Sequence, residues 1–133
     1  MRNVTCLLGL CLLVACGGSP EDAVSKQMAE VREHAEKGNP LAQFQLAQRL
    51  RTGDGLDKNI TQSTKWYRKA AEQGMSDAQY NLGVALEHGQ GVAKDNTEAT
   101  KWYRRAAEQW QTAAQYSLAR LMLFGKGVDR NAT

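Results

Sequence analysis

The chain repeats itself every 36 residues, and that period restricts its fold more than any other feature. Ala42-Gln43-Phe44, Ala78-Gln79-Tyr80 and Ala114-Gln115-Tyr116 stand in register (78 − 42 and 114 − 78). Leu46, Leu82 and Leu118 follow, then Gly53/Gly55, Gly89/Gly91 and Gly125/Gly127, then Leu56, Val92 and Val128. The segment Lys65 to Gln73 matches Lys101 to Gln109 with Trp66-Tyr67 and Trp102-Tyr103 at the same places. A period of this length marks an array of small units, none able to bury a core alone, that stack on their neighbours.

Each copy reads as two helices joined by a glycine loop. Small or apolar residues at 42, 46, 47 and 50 lie on one stripe of the first helix. Gly-x-Gly then supplies positive backbone dihedrals where the chain reverses. N-terminal caps are expected at Asn39, Ser76 and Thr112 for the first-type helices, with glutamine completing a box at Gln79 and Gln115. For the second-type helices they are expected near Asn59 and at Asp95, whose box partner would be Glu98. Val31, Ala35 and Gly38 align with Tyr67, Ala71 and Gly74, so residues 23–38 read as a second-type helix that caps the array. Copies at 39–74 and 75–110 are complete, and 111–133 holds a first-type helix with no second-type helix after it.

Ala-x-Tyr-x-Leu-Gly, Gly-x-Gly-Val and Trp-Tyr-x-x-Ala-Ala-Glu-Gln-Gly together resemble the pattern of Sel-one-like repeats, relatives of tetratricopeptide repeats. The resemblance spans about Ala23 to Asn131. It implies an all-α protein, a right-handed α-solenoid of antiparallel helix pairs with about two and a half repeats. Function follows from such a fold only through its surface, because these repeats serve many partners.

Residues 1–15 read differently. Arg2 precedes an apolar run from Val4 to Ala15 that is shorter than the ~20 residues of a spanning helix. A positive start, a short apolar run and small residues at its end describe an export signal. Leu13-Val14-Ala15-Cys16 resembles the lipobox of bacterial lipoproteins, which implies diacylglycerol on the Cys16 thiol and residues 16–22 as a tether. Cys6 and Cys11 would leave with the signal, so the exported body holds no thiol for a disulfide or a cysteine metal site. The expected location is the periplasmic face of the envelope, with Gly17 rather than aspartate after the cysteine pointing to the outer membrane by analogy with lipoprotein sorting.

Sites for catalysis are not apparent. His34 and His88 are the only histidines and do not share a His-x-x-x-His spacing. No nucleophile elbow occurs, and Gly125-Lys126-Gly127 is one version of a loop that elsewhere reads Gly53-Asp54-Gly55. A net charge of +3 is too small to argue for nucleic acid, and the aromatics beside Lys and Arg recur with the repeat, as packing residues do. No cofactor, nucleic-acid partner or enzymatic role is expected. Cysteine-rich relatives linked to β-lactam binding or hydrolysis carry disulfides that this body lacks, so a hydrolase of cell-wall ligands is the weakest analogy.

Positions that differ between copies are free to recognise a partner. On the first-type helices they are Gln45, Gln48, Arg49 and Arg51 in one copy, Asn81, Val84 and Glu87 in the next, and Arg120, Leu121 and Leu123 in the last. In related solenoids these helices line the concave side, so a groove is expected there. Trp110 replaces Gly38 and Gly74, where a left-handed turn disfavours any side chain, and a locally different turn is expected. Leu121, Leu123 and Phe124 make the last helix apolar with nothing to follow it, which leaves a partner or a second copy to cover it. The combined reading is a tethered protein-binding module. Its resemblance to Sel-one-like lipoproteins that protect bacteria implies, as an expectation, an immunity protein against a secreted phospholipase-type toxin. Its alternative is a scaffold for envelope polysaccharide or secretion machinery.

Overall fold

A computed structural model describes residues 19–125, which form six helices and no strand. They are α1 (Pro20–Glu36), α2 (Pro40–Thr52), α3 (Ile60–Glu72), α4 (Ser76–His88), α5 (Asn96–Glu108) and α6 (Thr112–Phe124). Substantial contacts join only consecutive helices, as in a solenoid. Cys16 and the signal segment lie outside the described residues, and so does the end of the last copy beyond Gly125.

The helices start where the chemistry of the first turn is met, though not always where the sequence suggested. Asn39, Asn59 and Asp95 accept from the amides of Ala42, Gln62 and Glu98, which satisfies donors the helix cannot. Ser76 and Thr112 instead lie inside their helices; Met75 caps α4 without a side-chain bond, and Gln111 caps α6 through its own amide oxygen. The box at Asp95 is incomplete, because the Glu98 carboxylate turns to Arg68 and Trp102. A full capping box forms at Ser19 with Asp22, and Pro20 takes the first helical position. That starts α1 three residues earlier than expected and draws Ser19 and Pro20 out of the tether.

Between repeats the core is one motif used several times. Gln43 is buried and donates through Nε2 to Ala35 O at 3.1 Å, while its Oε1 accepts from Gln73 Nε2 at 2.8 Å. Gln79 repeats both bonds, to Ala71 O at 3.2 Å and from Gln109 at 2.9 Å. Gln115 makes only the first, to Ala107 O at 3.3 Å. These glutamines therefore link each first-type helix to the second-type helices on either side of it. Beside them sit tilted aromatic pairs, Phe44 with Tyr67 at 5.7 Å and Tyr80 with Tyr103 at 5.8 Å. Trp66 and Trp102 carry Lys69 and Arg105 on their faces at 4.1 and 4.7 Å, which occupies the cations with packing.

Two glycines permit close approach. A Cβ on Gly83 would stand 2.6 Å from the Tyr103 ring, and one on Gly91, already at φ +66°, would stand 2.5 Å from Ile60 O. The second of these clamps the α4–α5 loop against the start of α3, a contact that Thr64 Oγ1 reinforces by donating to Gln90 O at 2.9 Å.

Replacing Gln79 with Ala strands Gln109 and removes the side-chain link to Ala71. We expect a loss of about 2–3 kcal/mol in urea unfolding. The same change at exposed Gln115, which has one bond to lose, should cost under about 1 kcal/mol.

Candidate protein-binding surface

The first-type helices present most of the residues that vary between copies. Gln45, Gln48, Arg49 and Arg51 of α2 line a groove of about 450 Å³ together with Thr52, Asp54 and, from α1, Gln27 and Val31. Arg49 sits 3.6 Å from Asp54 at its rim. A smaller cavity of about 40 Å³ lies deeper between the first two repeats, where Arg51, Asn81 and Val84 meet Ser63 and Tyr67. Arg51 lines both.

Further along, the variable positions have become structural. Glu87 is buried; it accepts from Tyr103 OH at 2.9 Å and from Arg120 Nη2 at 2.5 Å. Burial opposes its ionisation, yet the bonds from Arg120 and Tyr103 outweigh it and hold the carboxyl below its ordinary value of 4.5. Arg120 is shifted upward by the bond to Glu87. Burial and then the bond to Glu87 push the Tyr103 hydroxyl well above its usual range. A second pair, Arg68 with Glu98 at 2.7 Å, joins α3 to α5; the bond from Arg68 lowers Glu98 against a smaller effect of burial. Glu87 and Arg120 are thus committed to each other rather than free to meet a partner. Leu121 is fully buried in the main core cluster, a correction to its place among the surface candidates: its side of α6 turns toward α5.

The end of the array is where the exposed apolar area gathers. On α6, Tyr116 is 72% exposed, Leu123 78% and Phe124 67%. Tyr116 holds the position of Phe44 and Tyr80, whose partners are Tyr67 and Tyr103, and no counterpart covers it among the described residues. Trp110, before α6, is 84% exposed. Its turn keeps the left-handed form and hydrogen bonds of the others, with φ shifted to +65° from +95° at Gly38 and +93° at Gly74. A bulky side chain is held in the left-handed region while packing on nothing nearby, a conformation that disfavours L residues by about 1–2 kcal/mol. The expected change of turn is thus no more than a shift of φ within the left-handed region, and the side chain stands in solvent.

At the opposite end the array is closed. Gln27, Glu30 and His34 of α1 are exposed where the later second-type helices carry Ser63, Trp66 and Ala70. Polar side chains replace the packing surface, as terminal repeats require. The two ends of the solenoid are therefore chemically opposite.

A model of the Sel1 repeat matches residues 40–75, 76–109 and 112–133. The chain belongs to the Sel1 repeat family. A Sel1 repeat protein from Oxalobacter formigenes is 40% identical, with 77% of each chain covered and a TM-score of 0.70. A protective antigen of uropathogenic Escherichia coli with an SLR fold is 38% identical over 80% of this chain and 23% of its own, at a TM-score of 0.77. Helicobacter pylori cysteine rich protein B, 21% identical over 71% of both chains, shares the fold at a TM-score of 0.67. A search of curated proteins returned no match. Membership makes the chain a Sel1-type protein-interaction module. Among the described residues no cluster of His, Cys, Asp and Glu is placed to hold a metal ion, and no helix is long and apolar enough to cross a membrane.

Two outcomes follow. Because folding lowers the pKa of Glu87 and Glu98, their contribution is complete above 4.5 and is lost as pH falls from there through the lowered folded values. Urea midpoints measured against pH should fall along that limb, and less steeply in a Glu87→Gln variant. Trp110→Gly should raise stability by about 1 kcal/mol by relieving the left-handed turn.

Proposed function

We propose that this protein is a non-catalytic binding module, lipid-anchored through Cys16 to the periplasmic face of the envelope, that binds and occludes a secreted antibacterial toxin of the phospholipase type. The observation that carries the binding part of this reading is the apolar end formed by Tyr116, Leu123, Phe124 and Trp110, which nothing among the described residues covers. Soluble proteins seldom expose such a patch without an interface, and Trp is the residue most enriched in binding hot spots. A strained tryptophan that could have been glycine is a further reason, since strain kept against stability gathers at working surfaces. The Glu87–Arg120 pair and the Gln115 bond tie α6 to the repeat before it, which lessens the ordering a partner must impose. Tethering near membrane lipid would keep the module where a phospholipase acts. A second copy covering the same α6 face is the alternative occupant.

Affinity capture with the purified full chain from secreted and envelope fractions tests the reading. One stoichiometric lipase whose activity falls on binding supports immunity. Resident envelope proteins alone would replace it with a scaffolding role, and a concentration-dependent dimer in sedimentation would assign the face to self-association. Leu123→Asp should weaken whichever complex forms by at least about tenfold with little change in unfolding midpoint. Cys16→Ser should release the protein from membranes; a variant still membrane-bound would overturn the anchor.

A further inference from the structure

Around one buried tyrosine the first two repeats differ at two neighbouring positions, and the difference leaves its hydroxyl unpaired. In the second repeat Tyr103 OH donates to the Glu87 carboxylate, which Arg120 neutralises. One repeat earlier the same three places hold Tyr67, Arg51 and Val84. The tyrosine is retained and buried to 3% exposure, but the acid has become a cation and the cation has become an aliphatic side chain. As a result the Tyr67 hydroxyl is buried with no partner in hydrogen-bonding geometry among the described residues, although Arg51 and Ser63 lie near enough to oppose part of the upward pull of burial on its pKa. Arg51, beside it, forms no ion pair among them either. Three other polar side chains at the cavity are occupied: Ser63 donates to Ala47 O at 2.7 Å, Thr64 to Gln90 O at 2.9 Å, and Asn81 to Asp77 O at 2.8 Å.

A buried hydroxyl without a partner costs about 1–3 kcal/mol, and a buried polar atom of this kind calls for a missing group. What is left over is one donor and one cation facing a cavity of about 40 Å³, more than the ~10–15 Å³ that a single water needs. A carboxylate meets both demands at once, one oxygen accepting from the tyrosine and the other facing the guanidinium, as Glu87 does internally. Arg51 also lines the larger groove along α1 and α2, so a chain lying in that groove could direct a side chain past it into the cavity.

We infer that the cavity between the first and second repeats is a receptor for a single acidic side chain of a protein partner, held between Arg51 and the Tyr67 hydroxyl in the way Glu87 is held between Arg120 and Tyr103. This rests on the reading of the chain as a protein-binding module, but it places a contact far from the apolar α6 end and gives it a definite chemistry. The partner segment in the groove carries an Asp or Glu at the point that reaches Arg51.

Sodium acetate is the probe for the purified full chain, with sodium chloride at equal ionic strength as the control, read by amide and arginine Nε chemical shifts. Saturable shifts at Tyr67, Arg51 and Val84 with acetate and not with chloride are expected. Affinity should drop about tenfold or more in Tyr67→Phe and in Arg51→Gln. The double variant Arg51→Glu with Val84→Arg, which copies the second repeat into the first, should fold with an unchanged helical signal and lose acetate binding altogether. Absence of saturable shifts, or acetate binding that survives in the double variant, would overturn the inference and leave the hydroxyl to water. If wild type captures a protein partner and Tyr67→Phe and Arg51→Gln capture it equally well, the acid receptor is refuted while the binding-module reading stands. If acetate binds as described and no protein is captured, the receptor chemistry stands and that reading fails.

Discussion

Everything in this array depends on a buried glutamine that bonds in two directions. A primary amide offers a donor and an acceptor on one planar group, so Gln43 and Gln79 can each satisfy a backbone carbonyl behind and a second glutamine ahead. Apolar contacts between small helices are nearly indifferent to a slip along the axis. The amide bonds are not, because a shifted register would leave buried polar atoms unpaired. Alanine and glycine at the crossings let the helices come close enough for these bonds, and the tyrosine rings fill the remaining space. Directional bonds thus set the register in which nonspecific burial takes place.

Given that register, the variable positions divide by depth. Near the N-terminal end, α2 has only α1 behind it, and its polar side chains line an open groove. Between the first two repeats a small cavity remains beside Tyr67, Arg51 and Val84, and one repeat on its equivalent is closed by the Glu87–Arg120 pair. The same geometry therefore yields a cavity in one repeat and a structural ion pair in the next, and the side chains at positions 51 and 87 decide between them.

Much of this was legible in the sequence. The period gave the helix pairs, the glycine turns and the buried stripe, because each is a local consequence of spacing. Asn39, Asn59 and Asp95 were readable as caps for the same reason. Ser76 and Thr112 were misread because a glutamine three residues on looks like a cap partner, whereas Gln79 and Gln115 reach across to another helix. Their invariance across copies, together with Gln73 and Gln109, was the available signal. Leu121 could not be separated from Leu123 by composition, since only the angle at which α6 docks turns one inward and the other out. The Glu87–Arg120 pair was equally hidden: both residues appeared as free variables on separate copies. Tyr67 stood in plain view as a core aromatic, but its unpaired hydroxyl emerges only when the neighbouring side chains are in place.

The glutamine relay has one further property. Each link uses one half of an amide and leaves the other half for the next unit, so the rule for adding a helix is written into the last helix already folded. Among the described residues Gln115 holds such an unused half-bond beside the uncovered ring of Tyr116. Whatever helix settles on α6, from any source, meets a surface already arranged as a template for growth. To the rest of the array, docking there is indistinguishable from lengthening. Its effect would spread inward as added protection against fraying, strongest in α6 and weaker with each repeat behind it.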